Sequence, residues 1–207
     1  MRPKKKQNLK ETITQPSHEK ARAYGYSLAN SVIDAIHAGK FYPSPEPKLN
    51  VSSLELELGI ENFILSLSTI LGIIDSDPKF NLKPPFIHYL SEIAFIELGD
   101  ATITGIPGEL YPEIAVGGIE NPQGADYSID PQEVPHLRSQ LPGKLNLMVN
   151  LANDAIAYNI PKSEWDEKAP WIFGENEETY GEVVSLGPNT APIIHQNIIK
   201  LIEDSKD

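Results

Sequence analysis

The chain contains no cysteine. No disulfide can therefore frame it and no thiolate can hold a metal, so any metal ligand must come from His, Asp, Glu or, less commonly, Tyr. The same absence leaves the compartment open. Basic residues are also scarce: 17 Lys and Arg stand against 29 Asp and Glu, for a formal charge of −12. Such a surface repels a phosphate backbone, which argues against nucleic acid as a partner. No apolar run is long enough to cross a bilayer. The most apolar window, "FILSLSTILGIID" from Phe63 to Asp75, is too short and carries Ser66, Ser68 and Thr69, so it reads as a buried helix or strand. The amino terminus, "MRPKKKQNLKETITQPS", has the basic start of a secretory signal without the apolar stretch that should follow, and residues 1–16 read as a flexible lead-in. A length of 207 residues suits one domain with a real core, or part of a larger one.

What is present is a mixed pattern. Ser17 is placed to cap a helix, Ala21, Tyr24, Leu28, Val32 and Ile36 follow at helical spacing, and Gly39 closes it. "FYPSPEPKLN" is a Pro-rich connector, and "SSLELELG" alternates with the period of a strand. "EIAFIELGD" and "ATITGIPG" predict two strands turned around Gly99-Asp100. Gly117 to Gly143 reads as a long loop, of the kind that is functional or mobile. "KLNLMVNLAND" supplies a further buried strand. Near the end, Asn189 or Thr190 caps a helix with Pro192 in its first turn and a buried stripe of Ile194, Ile198, Leu201 and Ile202. The expected fold is α/β: the strands near Phe95, Ile103 and Leu147 in one mixed sheet, packed by the helices beginning near Ser17 and Asn189. Ile93, Phe95, Ile103, Leu147 and Val149 have the near-continuous apolar character of strands covered on both faces.

Two segments follow directly on predicted strands, the position where α/β sheets bind ligands. One is "TITGIPGELYPEI", in which a Pro-Gly turn is followed by Glu109. The other is "NLANDAIAYNIP", which carries Asn153 and Tyr158. Gly108 lets a ligand or another backbone come close, and Pro107 fixes the approach. On spacing alone, Glu109 equally suits the start of a helix, where the dipole favours a carboxylate.

Together, "IPGELYPEI", "NLANDAIAY" and "YGEVVSLGPNTAP", in that order, resemble the carboxy-terminal half of the catalytic domain of neutral/alkaline (non-lysosomal) ceramidases and their bacterial relatives. "ARAYGYSLANSVIDAI" is similar to the helix that precedes these motifs in that family, so the resemblance covers residues 17–207. It implies a zinc amidohydrolase that splits the amide of ceramide, or a similar N-acyl amide, into sphingosine and a fatty acid. It also implies Glu109 and Tyr158 as metal ligands, and Tyr158 and Tyr180 as catalytic residues, the latter stabilising the oxyanion of the tetrahedral intermediate. The spacer "DEKAPWIFGENEE" before Tyr180 is longer than in the family. The family's two histidine ligands and its serine belong to a region with no counterpart here. Zinc binding is thus expected only with the missing amino-terminal half or a complementary chain as partner. Family relatives are often secreted or extracytoplasmic.

The residue types suit that chemistry. Zinc held by Glu oxygen and imidazole lowers the pKa of its water to about 7. A phenol, ordinarily near 10, either ligates as phenolate or donates to an oxyanion. Among the five histidines, His18, His37 and His195 sit at helix positions common for surface residues. His88 and His136 are freer to reach a site, and no pair has the spacing of a helical metal motif. "DSD" at Asp75 and "ENEE" at Glu175 read as solvated faces, without the alternation or glycine of a calcium loop. Trp165 and Trp171 suit core or rim anchors, or an apolar lip for a lipid chain. No contiguous exposed apolar stripe announces a lipid groove. Two other readings stay open: a non-catalytic α/β binding or interaction module, and a half-domain whose intended interior is exposed.

Overall fold

A computed structural model describes residues 16–39, 48–74, 78–174 and 180–205. The expected lead-in up to residue 15, most of the Pro-rich connector, and the "DSD" and "ENEE" clusters lie outside the described residues. The chain divides into two compact units, Met1–Pro45 and Glu46–Asp207.

In the first unit, α1 (His18–His37) begins where Ser17 is extended at φ −161° and its side chain accepts a hydrogen bond from the Lys20 amide. That side-chain acceptor satisfies one of the orphan amides of the first turn. Gly39 ends the helix at φ 62°, the left-handed conformation that glycine adopts without penalty. The expected apolar stripe is present on α1, of which no residue is buried.

The second unit is mixed α/β. In chain order it comprises β1 (Leu49–Gly59), α2 (Phe63–Ile70), β2 (Lys79–Phe80), β3 (Ile87–Leu98), β4 (Ala101–Ile106), β5 (Glu109–Leu110), α3 (Pro112–Val116), β6 (Leu145–Asn150), β7 (Tyr158–Asn159), α4 (Tyr180–Val183) and α5 (Thr190–Asp204). The main sheet runs β1-β3-β4-β6, with β2 paired to the start of β3. β3 and β4 form the expected hairpin: Leu98 pairs with Ala101, and Gly99 takes φ 59° in the two-residue turn. β6 then joins β4 in parallel, Ile103 opposite Leu147, so the strands near Phe95, Ile103 and Leu147 do share one sheet.

One face of this sheet is covered. Leu56, Leu58, Ile93, Phe95 and Ile106 belong to the core, where they meet Ile194, Ile198, Leu201 and Ile202 of α5. Burying a side chain of this kind contributes about 1.5–3 kcal/mol, and the four α5 residues are the stripe expected from the sequence. The other face corrects the reading of strands covered on both sides. There Leu145, Leu147 and Val149 are 58 %, 45 % and 44 % exposed; their period-two alternation with half-buried Asn146 and Met148 is that of a strand packed on one face.

A second correction concerns the apolar window. Only Thr69 of α2 is buried, while Phe63, Ile64, Leu67 and Ile70 are exposed. An exposed apolar helix is thus present where the sequence suggested a buried element and no apolar stripe. With Phe80 and Phe86 it borders an open cleft of about 720 Å³, which Glu109, Tyr158 and Tyr180 do not line. No helix among the described residues is long and apolar enough to cross a membrane.

Candidate functional site

β4 and β6 run side by side in the same direction, and each continues past a break into one strand of a small second sheet. β4 passes through Pro107-Gly108 into β5, and β6 through residues 151–157 into β7; β5 and β7 pair in parallel with Glu109 opposite Tyr158. Residues in register put their side chains on the same face of a sheet, on backbones about 4.8 Å apart. Glu109 and Tyr158, separated by the long loop in sequence, therefore stand side by side.

The junction is held by main-chain hydrogen bonds. The Glu109 amide donates to the Ala157 carbonyl at 2.8 Å, Gly108 to Asp154 at 3.1 Å, Leu151 to Gly108 at 2.8 Å and Tyr111 to Asn159 at 3.1 Å. The buried Asn159 amide donates to the Pro107 carbonyl at 2.7 Å. Glu109 is in a strand, so the alternative that it starts a helix applies to Pro112 and Glu113 of α3 instead. Of the two occupants foreseen beside Gly108, the other backbone is the one present: a Cβ there would meet the Ala157 carbonyl.

The 151–157 connection is bent by three non-glycine residues at positive φ: Leu151 at 53°, Asn153 at 67° and Ala157 at 74°. Such residues cost energy and cluster at functional sites. Asn153 sits between β6 and Tyr158, and its side chain donates to Glu92 Oε1 of β3 at 3.2 Å, tying the bend to the sheet. Ala157→Gly is expected to raise stability by about 0.5–1 kcal/mol, because the left-handed penalty of about 1–2 kcal/mol outweighs the extra chain entropy of glycine. A higher urea midpoint at unchanged slope is the readout.

Tyr158 is half-buried between two other tyrosines. Its ring lies edge-on to Tyr111 at 6.2 Å between centroids and to Tyr180 at 6.1 Å. Despite its longer spacer, Tyr180 thus lies beside Tyr158, 71 % exposed. The Ser185 hydroxyl donates to the Tyr158 carbonyl at 2.8 Å, so the "YGEVVS" segment is fastened directly to β7. Tyr111, which the sequence reading did not single out, completes the trio. Burial, aided by the Glu182 carboxylate, pushes its pKa up to about 12; it stays a phenol at neutral pH. Its position two residues beyond Glu109 was the only sign of it in the sequence.

The long loop is pinned by carboxylates. Glu164 Oε1 accepts from the Glu120 amide at 2.7 Å and Glu133 Oε1 from the Lys162 amide at 3.1 Å; beyond the loop, Asp166 Oδ2 accepts from the Ile172 amide at 3.0 Å. All three acids are buried. Burial, more than its acidic neighbours, holds the Glu164 carboxyl above its ordinary pKa.

The three histidines of the second unit have other partners. His88 contacts Glu57 at 3.1 Å, and His136 accepts from the Ser139 amide at the start of a short 3-10 turn. His195 corrects the reading as a surface residue: it is 2 % exposed, with Nε2–H donating to the Pro135 carbonyl at 2.8 Å. Burial lowers its pKa against the opposing pull of that hydrogen bond and of Glu133. Between the lowered value and the ordinary 6.5, the unfolded chain binds the extra proton. Stability is therefore expected to be full above pH 6.5 and to fall as the pH drops through that window. His195→Gln should flatten this slope in denaturation curves taken from pH 7.5 to 5.

Trp165 is buried in the core and Trp171 half-buried. Among the described residues no three His, Asp or Glu side chains gather as a metal would need. Glu109 and Tyr158 are oxygen donors of the right kind, and a catalytic zinc takes three protein ligands. No protein-family model matches the chain, and neither a curated protein nor a solved structure matches it.

Proposed function

We propose that the chain is the carboxy-terminal part of a zinc-dependent amidohydrolase resembling the neutral ceramidases, acting on an N-acyl amide such as ceramide once an amino-terminal half completes its site. The observation that carries this reading is the register of Glu109 with Tyr158 at the downstream end of parallel β4 and β6, with Tyr180 against Tyr158. Three residues drawn together by the resemblance come from three separate stretches of sequence, and they meet at the strand ends where α/β sheets bind ligands.

Glu109 and Tyr158 would supply two ligands, and the missing half the two histidines. Bound zinc supplies hydroxide at neutral pH. The chain's own contribution is to hold an exposed carboxylate and a half-buried phenol at fixed spacing, and to place Tyr180 against that phenol, from where its hydroxyl would donate to the amide oxygen as charge develops. The isolated chain is expected to hydrolyse no amide and to bind zinc weakly or not at all, since two oxygen donors compete poorly with water. Metal content and N-acyl hydrolysis measured together, with and without the amino-terminal half of a neutral ceramidase catalytic domain, test the reading. No gain of zinc or activity on completion favours the alternative, a non-catalytic α/β binding module.

A further inference from the structure

The long loop, residues 118–143, is fastened differently from the rest of the second unit. The main sheet is joined by main-chain ladders. Among the described residues the loop makes one main-chain hydrogen bond outside itself, from the Asp126 amide to the Trp165 carbonyl at 2.9 Å. Most of its other polar ties pass through an ionisable side chain. Glu164 takes the Glu120 amide at 2.7 Å, Asp126 the Glu167 amide at 2.8 Å and Glu133 the Lys162 amide at 3.1 Å, while His195 Nε2–H donates to the Pro135 carbonyl at 2.8 Å. A segment with so few main-chain bonds opens locally, ahead of global unfolding.

The downstream end of the loop, residues 133–137, covers a histidine. Glu133 and Leu137 are fully buried and His195 is 2 % exposed, so water reaches the ring when this stretch lifts. Two atoms here have no hydrogen-bond partner, Glu133 Oε2 and His195 Nδ1. The bond to Pro135 keeps the proton of the neutral ring on Nε2, which leaves Nδ1 a bare acceptor beside an acceptor carboxylate. A proton added at Nδ1 therefore makes a buried donor with nothing to receive it, an arrangement that costs far more than a bond left to water. Other charges are turned away. β1 and β3 direct Leu56, Leu58, Tyr89, Ile93 and Phe95 toward α5, and Glu55, Glu57, His88 and Glu92 alternate onto the opposite face. Arg138, Lys200, Glu203 and Asp204 are exposed. His136 is half-buried and accepts from the Ser139 amide. Glu133 is the charge that acts on His195, and its pull is weaker than the effect of burial.

We propose that residues 133–137 form an acid-released strap: protonation of His195 unseats Pro135 and Glu133 and lifts this end of the loop while the Glu120 end stays fastened. The lifted form returns His195 to its ordinary pKa of 6.5 and binds the proton better than the closed form, where burial lowers that value. Closure is thus complete above pH 6.5, and below it the lifted fraction grows by up to about tenfold per pH unit until the lowered value is passed. Glu164 acts in the other direction. Among Glu113, Glu120 and Glu133, burial raises its pKa, so the closed form is there the better proton binder and acid does not release Glu120. The 3-10 turn Leu137–Ser139 packs on α3 and α5, and the His136 ring lies against Gly117 at the end of α3. Since α3 begins two residues beyond β5, the strap sets how firmly one flank of the Glu109 site is held, whatever that site binds.

The test is amide hydrogen exchange of the full chain by NMR from pH 7.5 to 5, expressed as protection factors so that the intrinsic pH dependence cancels. The Lys162 amide is expected to keep constant protection down to pH 6.5 and to lose at least threefold by pH 5.5, with the Glu120 amide unchanged. His195→Gln keeps a donor for Pro135 but cannot titrate, and should abolish the step. Glu133→Gln removes the charge that favours the imidazolium, and should move the step to lower pH. Should His195→Gln fail to fold, the imidazole signals of His195 in the unaltered chain replace it, with a titration below 6.5 expected to coincide with the Lys162 step. Four results would overturn the proposal. They are Lys162 protection that is flat to pH 5, protection that rises with acid as Glu133 pairs with the imidazolium inside a closed strap, a step that persists in His195→Gln and so belongs to His136, and protection equal to that of the β3–β4 ladder at every pH, which would make the opening global.

Discussion

If the proposed reading holds and an amino-terminal half completes the site, Glu109→Ala is expected to lose zinc and N-acyl hydrolysis together, whereas Tyr158→Phe should keep more of the metal while losing about 10²-fold or more in rate. The difference follows from what each side chain gives. Glu109 would bring the negative charge that holds the ion, so its loss empties the site. The Tyr158 ring is fixed by Tyr111 and Tyr180, contacts that phenylalanine keeps, and only the hydroxyl is removed. Neither result should be confounded by unfolding of the Glu109 variant. Its side chain is exposed and the hydrogen bond to Ala157 comes from its backbone, so alanine should change stability by no more than about 0.5 kcal/mol. Full activity in Glu109→Ala would show the Pro-Gly-Glu turn to be structural.

Gly108→Ala is expected to destabilise the fold by about 3 kcal/mol, the sum of a left-handed penalty of about 1–2 kcal/mol and a steric term of similar size. Gly108 has φ 73°, and a Cβ would lie 2.9 Å from Ile156 Cγ1 and 3.1 Å from Asn159 Nδ2, as well as against the Ala157 carbonyl. The control is Gly118→Ala. Gly118 also has positive φ, 106°, but nothing stands within 4 Å of the added Cβ, so only the conformational part should be lost. Equal urea midpoints for the two variants would mean that the turn and the 156–159 segment can part without cost, and that the register of Glu109 with Tyr158 is loosely held.

The hairpin at Gly99-Asp100 and the α5 stripe were legible because their signals are local: a two-residue turn between alternating strands, and apolar residues at helical spacing. His195 was legible too and was misread. It falls on the same side of α5 as Ala191, Ile194, Ile198 and Ile202, all buried, and the three- and four-residue spacing alone places it inward. The covered face of the sheet could not be read locally. Apolarity in Leu147 and Val149 says that a residue can be buried, not that something lies on it. Glu133 and Glu164 gave no sign of burial, because what holds each is a backbone amide distant in sequence, Lys162 for Glu133 and Glu120 for Glu164. The pairing of Glu109 with Tyr158 had no local signal either; only the order of the three motifs suggested it.

Because the ladder between β5 and β7 is made of main-chain atoms, the spacing of positions 109 and 158 does not depend on which side chains occupy them. The pair behaves as two sockets at a set separation. Glu109→His or Glu109→Asp would present a different donor from the same point on the backbone, with Tyr158 undisturbed. On the proposed reading, metal preference should therefore be tunable one position at a time, while the effects of changes at 109 and 158 on folding and on a bound ion should both couple, as those of directly opposed residues do.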